Sequence, residues 1–308
     1  MSGAAAMLPS TMRVFERGWL SSNNILFIGR GETALVDSGY VTHAAQTLAL
    51  VRHALGGRPL DRLLNTHLHS DHCGGNAALQ AHYACHTAIP AAQADSVRAW
   101  DQGALSFEAT GQSCARFGFD ATLAPGDQLN LGDLRWEALG APGHDPHSLV
   151  FYCAHEGILI SADALWENGM GVIFPELDGE SGFAEAAATL DLIAGLAPRL
   201  VIPGHGAPFA DAAGALARAR ARLAYLAADP VRNAHNGIKV VLKFLLLERQ
   251  RIALADAGAL FASMPLVVGA NRRFLQQDPD ALAQWAAQAL VKAGAARIDG
   301  ADLVNCEA

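Results

Sequence analysis

The chain reads as a mixed α/β (α+β) protein: a four-layer αββα sandwich followed by a small, mainly helical, winged-helix-like domain. Three observations predict this. Short apolar runs and helical stretches alternate as hairpins and βα units, twice over, through residues 12–202, which is the pattern of two sheets packed face to face with helices outside. Polar loops recur at the strand ends, where such folds place their sites. From about residue 211 the texture changes to Ala/Leu-rich helix with arginines, so we divide the chain into residues 1–228 and residues 229–308.

Met12–Leu20 alternates loosely as a first strand. Asn24–Gly29 and Thr33–Asp37 are apolar runs joined by Arg30-Gly31-Glu32, a hairpin signal with glycine in the turn. Thr42 to about Leu55 has helical spacing, with Thr42 as a cap and Gly56-Gly57 as the stop. Leu60–Asn65 is a strand that runs into a histidine-rich stretch, and Gly74-Gly75-Asn76 opens a helix through about Tyr83. A strand at Ala84–Ile89 and a helix at Pro90–Trp100 follow. Residues 101–120 are irregular, include a buried-looking Phe107, and suit a cleft entrance. Ala121–Leu123 and Leu134–Leu139 are short strands, and Ser148–Ala154 with Gly157–Ser161 forms a second hairpin. Phe183–Leu196 is a helix and Arg199–Ile202 a strand.

In the tail, Asp229-Pro230 breaks the helical texture. Ile238–Glu248, Ala253–Met264 and Asp280–Gly294 are helices, and Asp299-Gly300 between apolar residues is a hairpin turn. Three helices and a hairpin make a winged-helix-like module. Lacking an arginine-rich recognition helix, it reads as a packing or dimerising appendage rather than a DNA reader.

A length of 308 residues with 51% hydrophobic and 17% charged content indicates a globular chain with a sizeable core, not a disordered one. Net charge is −8 and unevenly spread. Residues 211–308 hold 12 Lys/Arg against 9 Asp/Glu, so residues 1–210 hold 10 against 21, an acidity that repels polyanions. The five cysteines include no CxxC pair, the first residues lack a basic-then-apolar leader, and no run approaches the ~18 apolar residues of a membrane span. The expectation is a cytoplasmic protein with buried thiols and no membrane partner.

The chain is organised around Asn65-Thr66-His67-Leu68-His69-Ser70-Asp71-His72. A strand that ends in a tight turn aims three imidazoles and a carboxylate at one point, and these are ligands for zinc, iron or manganese. Adjacent protonated histidines would repel, so a metal explains the crowding better than a polar loop does. Three further loops follow apolar strands and each offers one ligand-type side chain. They are His144 in Pro142-Gly143-His144, Asp163 in Ser161-Ala162-Asp163, and His205 in Pro203-Gly204-His205. The glycine before each histidine lets the backbone turn sharply. The combined set of seven is too many for one tetrahedral ion and suits two ions sharing a carboxylate.

This series of motifs resembles the metallo-β-lactamase superfamily over about residues 12–210. The resemblance implies that His67, His69 and His144 hold one divalent ion, that Asp71, His72 and His205 hold a second, and that Asp163 bridges them. Zinc is the expected metal, with iron and manganese as alternatives. Asp37, in Val36-Asp37-Ser38-Gly39, matches the family's early aspartate and would orient a ligand loop. A metal-bridging hydroxide would be the nucleophile, with Asp71 hydrogen-bonding the attacking water and passing on its proton, so neither Ser70 nor Ser148 has a triad role. Cys73 is expected to point away from the metals. His147 would hydrogen-bond the substrate or oxyanion, or else support the site from behind.

His69 stands where oxygen-reducing flavodiiron relatives carry glutamate, and a bridging aspartate is the pattern of glyoxalase II-like thioesterases, phosphodiesterases and lactonases. The expected function is hydrolysis of a small-molecule thioester or related ester, with the C-terminal module as one wall of the cleft. An endoribonuclease acting on nucleic acid is the alternative, opposed by the acidity of residues 1–210; a lactonase ranks third. Lys239, Lys243, Arg272 and Arg273 are candidates to hold an anionic carrier such as coenzyme A, with surface solvation as their plainer role. Residues 166–176, glycine-rich and apolar, are expected to shape the pocket. A homodimer is compatible with this reading.

Overall fold

The computed structural model describes residues 8–306. The first sheet runs in sequence order: β1 (Met12–Phe15), β2 (Asn24–Ile28), β3 (Thr33–Val36), β4 (Arg62–Leu64), β5 (His86–Pro90) and β6 (Ala121–Leu123). Hairpins make the first three antiparallel. The next pairings are parallel, and each needs a crossover. The crossovers carry α1 (Ala44–Leu55), then α2 (Ser70–Cys73) with α3 (Asn76–Tyr83), then α4 (Ala94–Ala99).

The second sheet has the order β11-β10-β9-β8-β7. Its strands are β7 (Gln128–Leu131), β8 (Leu134–Gly140), β9 (Leu149–Cys153), β10 (Ile158–Ala162) and β11 (Leu200–Pro203). Only β10 and β11 pair in parallel, across a connection that holds α5 (Pro175–Asp178) and α6 (Phe183–Leu196). The helix α7 (Ala212–Ala227) follows.

Strand alternation explains the layers. Ile25, Phe27, Val36 and Leu64 meet Phe151, Ile158, Ile160 and Ile202 between the sheets. Their neighbours Leu26, Leu35 and Leu63 face outward against Val51, Leu55 and Leu79. On the other side Val150, Leu159 and Val201 pack against Leu190, Ile193 and Leu216. Because both faces are covered, the central strands are apolar at most positions, and polar exceptions such as Thr33 and Ser161 are hydrogen-bonded, to Pro59 O and Leu165 O. This is the expected four-layer sandwich.

The first strand ends at Phe15, not Leu20. The chain leaves the sheet there because residues 21–23 brace other loops: Ser22 N–H donates to Asp71 O (3.0 Å), and Asn23 N–H to Gly204 O (2.6 Å). The strand β7 is an addition to the expected elements, and Gly132 and Asp133 form the two-residue turn of its hairpin, both with positive φ (61° and 62°).

The remaining elements are α8 (Pro230–Arg249), β12 (Arg251–Ala253), α9 (Ala257–Ala262), α10 (Pro265–Ala270), α11 (Pro279–Lys292), β13 (Ala296–Asp299) and β14 (Asp302–Asn305). The long helix starts well before Ile238. Asp229 and Pro230 break the preceding helix and also begin this one, as the Asp229 carboxylate accepts from Val231 N (3.0 Å) and proline occupies the first turn. The tail hairpin gains β12 as a third strand, in the order β12-β14-β13. This part has its own apolar core, which also takes in Val172 and Leu177 from the site-side connection. Among the described residues no single helix is long and apolar enough to cross a membrane, and the five cysteines are free thiols.

The Phe151 side chain is fully buried between the sheets. Phe151→Ala is expected to cost about 3–5 kcal/mol, read as a lowered urea midpoint; a shift near zero would contradict this packing.

Candidate metal centre

Every loop that carries a candidate ligand leaves the same edge of the sandwich. The residues 67–72 follow β4, His144 follows β8, Asp163 follows β10 and His205 follows β11. Their donor atoms form two groups, His67–His69–His144 and Asp71–His72–Asp163–His205, with all atoms of a group within 4.8 Å of one another. Asp163 touches both. Its Oδ1 lies 3.5 Å from His72 Nε2, and its Oδ2 lies 3.4 Å from His144 Nε2 and 3.8 Å from His205 Nε2. Asp71 Oδ2 lies 3.0 Å from His205 Nε2.

The outer ring nitrogens of His67, His72 and His144 are committed, which sets their tautomers. His144 Nδ1–H donates to Val172 O (2.6 Å), and His72 Nδ1–H to Asp37 Oδ2 (2.8 Å). His67 Nδ1 pairs with Thr66 Oγ1 (3.1 Å). Asp37 also accepts from Thr66 N (2.9 Å) and Thr66 Oγ1 (2.8 Å). The inner nitrogens His67 Nε2 and His72 Nε2 are buried with no hydrogen-bond partner. His69 is turned the other way: Nε2 lies 3.6 Å from Asp145 Oδ2, while Nδ1 approaches His144 Nε2 at 2.8 Å. With its Nδ1–H given to Val172 O, His144 turns the lone pair of Nε2 toward His69 Nδ1, and the tautomer of His69 decides whether it donates a hydrogen bond there. The orphaned imidazole nitrogens fit a divalent ion, and the donor set is compatible with a divalent metal site.

Electrostatics agree. Burial, reinforced by neighbouring imidazoles, holds His67 well below the usual imidazole range. Burial lowers both His69 and His144 to about 4. Burial opposes charge on Asp163, yet His205 and His72 hold it well below the usual carboxylate range. Asp71 is lowered too, by His72 and His205 against burial. Neutral imidazoles and ionised carboxylates are the metal-ready forms. His72 differs: burial disfavours its charge, but Asp163, Asp37 and Asp71 raise it well above the ordinary value. Three carboxylates converge there and call for positive charge.

Two glycines are sterically required. A Cβ on Gly204 would collide with Asp163 Oδ1, and one on Gly171 with His144 Nδ1. Ala162, in the left-handed region at φ 45°, turns the chain just before Asp163.

The group opens onto a cavity of about 310 Å³, within the small-molecule range. His69, Asp71, His144, Asp163 and His205 line it, as does His147, which is exposed and whose backbone N–H donates to Asp145 Oδ1 (2.7 Å). Trp166, Val172, Phe174 and Pro175 also line it, as expected of residues 166–176, and so do Gly103–Ser106 and Gln112 from the irregular stretch. The module contributes Val240, Val241 and Phe244 from α8, and Leu266 from α10.

Other expectations fare differently. None of Lys239, Lys243, Arg272 and Arg273 lines the cavity. Lys243 turns inward, donating to Ala295 O, Asn305 Oδ1 and Cys306 O at 2.6–3.0 Å. Arg273 donates to Leu177 O (3.1 Å). Cys73 points away, with Sγ toward Leu68 O and Cys114. Ser70 Oγ donates to Gln112 Oε1. Sequence reading missed Asp145, the buried partner of His69, and Trp19, which stacks on His205 with centroids 5.4 Å apart at 11°. Asp145 directly follows His144 in the chain, so position was its only signal.

Comparison with known proteins agrees with the geometry. The family model described as the metallo-beta-lactamase superfamily matches residues 17–205. A hydroxyacylglutathione hydrolase from Anaeromyxobacter dehalogenans is 31% identical over 85% of this chain and 96% of its own. For the hydroxyacylglutathione hydrolase from Methylococcus capsulatus, also 31% identical, the match covers 47% of this chain, which spans about half (48%) of that relative's length. A metallo-beta-lactamase family protein from Thermus thermophilus shares the fold, with a TM-score of 0.59 at 20% identity over 97% of this chain and 99% of its own. With its donor loops in family order and more than half of its length matched, the chain belongs to the metallo-beta-lactamase superfamily.

Proposed function

We propose that the protein is a dinuclear metal-dependent hydrolase of thioesters or related small-molecule esters. One observation carries this reading: two donor groups joined by Asp163 open onto a cavity of small-molecule size. We assign His67, His69 and His144 to one ion, Asp71, His72 and His205 to the other, and Asp163 to both. Zinc is our first assignment, with iron or manganese as alternatives. Two such ions, when bound, polarise the scissile carbonyl and bring the pKa of water to about 7.

The chain's own residues do the rest. Asp71 lines the cavity and takes the proton of the attacking water at its carboxylate. Asp37 fixes the His72 ring and Asp145 the His69 ring. His147 reaches the substrate from the cavity wall. The Phe174 ring, against both His69 and His144, keeps bulk water from their exposed faces.

The relatives' names describe hydrolysis of an acylglutathione, a thioester, which supports the acyl reading. RNA cleavage has less support, because among the described residues no lysine or arginine lines the cavity to meet a phosphate backbone. We place the boundary between the two parts at residues 228 and 229 and read the second as winged-helix-like, acting as a cleft wall. Free thiols agree with a reducing cytoplasm.

Three outcomes test the reading. Elemental analysis is expected to find about two metal ions per chain, and chelation should abolish thioester turnover until metal returns; a chain that takes up no added metal would falsify the assignment. Asp37→Ala leaves Thr66 and His72 without their acceptor and should weaken metal affinity about 10–100-fold, measured by chelator competition; unaltered affinity would remove Asp37 from the site. His147→Ala should lower kcat/KM about tenfold or more with metal content intact; unchanged turnover would end its role at the substrate.

A further inference from the structure

Two features of the cavity decide what it accepts. The first is its carbon wall. Val240, Val241 and Phe244 from α8, Leu266 from α10, and Leu105 all face it. Phe174 extends this surface to the donor groups, its centroid 5.4 Å from the rings of both His69 and His144. The wall therefore begins where the scissile bond must lie.

The second feature is charge. Among the described residues no lysine or arginine lines the cavity, whereas the carboxylates of Asp178 and Glu180 do. The guanidinium beside Asp178, that of Arg273, lies 3.8 Å from it and already donates to Leu177 O. An anionic carrier would find no cation among these side chains and would meet like charge. Among the described residues, one lining polar atom outside the donor groups lacks a hydrogen-bond partner. Gln93 lines the cavity, is 4% exposed, and its Oε1 has no hydrogen bond. A buried amide oxygen is satisfied only by an N–H or O–H donor.

We propose that the cavity selects an uncharged substrate whose hydrophobic acyl chain packs on Val240, Val241 and Phe244 and whose N–H or O–H donates to Gln93, and that it excludes polyanionic thiol carriers. This rests on the ester-hydrolase reading and names its substrate class.

Trp19 and Trp166 line the same cavity, so tryptophan emission reports occupancy without turnover. The zinc-loaded full chain is titrated with uncleavable thioethers: S-ethyl- and S-hexyl-N-acetylcysteamine, which are neutral with one amide N–H, and S-hexylglutathione, which is anionic. Each methylene buried on the wall should tighten binding about fourfold. The neutral hexyl compound should therefore bind well over tenfold tighter than its ethyl counterpart, and about tenfold or more tighter than S-hexylglutathione. Phe244→Ala should shrink the hexyl-to-ethyl ratio severalfold, and Val240→Ala repeats the test if that variant does not fold. Gln93→Leu should weaken the neutral hexyl compound about tenfold.

Equal affinity for ethyl and hexyl, or tighter binding of S-hexylglutathione, overturns the proposal. Thioester turnover is measured separately. Preference for the neutral ligand without turnover upholds the selectivity and rejects the hydrolase reading; turnover with preference for the glutathione thioether does the reverse.

Discussion

One carboxylate holds the site in register. Asp37 ends β3 in the left-handed region (φ 57°), a conformation that aspartate tolerates better than most residues. From there it accepts three hydrogen bonds: two from Thr66 and one from His72. The parallel pairing of Val36 with Leu64 brings the ends of β3 and β4 side by side, which makes this contact unavoidable. A buried amide–hydroxyl chain braces the same loop. Ser38 Oγ donates to Asn76 Oδ1, Asn76 Nδ2 to Asn65 Oδ1, and Asn65 Nδ2 to His72 O. Groups this deep must all be paired, so the network admits few alternative loop shapes.

How much could be read from sequence follows the range of the forces involved. The cluster at residues 67–72 was legible because its spacing is local and its chemistry has few other uses. The helix at Phe183–Leu196 was legible to the residue, since nothing long-range competes with its local signals. Asp145 was not, because its partner ring, that of His69, is reached only through the tertiary fold. Residues 16–20 look like continuing strand; what ends it is the demand for Ser22 and Asn23 beneath the Asp71 and Gly204 loops. Lys243 looked like a free cation and instead ties together the carbonyl oxygens at the end of the chain. Asp229-Pro230 reads locally as a stop, and the same dipeptide is also a start.

The helix α8 belongs to two structures at once. Leu242, Leu245 and Leu246 anchor the C-terminal core, while Val240, Val241 and Phe244 face the cavity. Two polar contacts fix its seat, Asn233 Nδ2 donating to Ile173 O and Tyr40 Oη to Glu248 Oε1, and Leu266 N–H, donating to Ala109 O, ties α10 to the same wall. The apolar wall is therefore as rigid as the module's docking. Relatives that keep the sandwich while changing the appendage would alter what fits without touching the chemistry.

The division of donors between the sheets bears on how the protein is made. The loop at residues 67–72 belongs to the first sheet, whereas His144, Asp163 and His205 belong to the second. Each donor group draws on both. On a growing chain, neither group is complete until the second sheet has emerged and docked, so tight ion capture is a late event of biogenesis. Before that, the exposed stretch at residues 67–72 offers only a loose chelate, open to whichever ion is nearest. The metal pool at the moment the sandwich closes thus helps decide the enzyme's final composition.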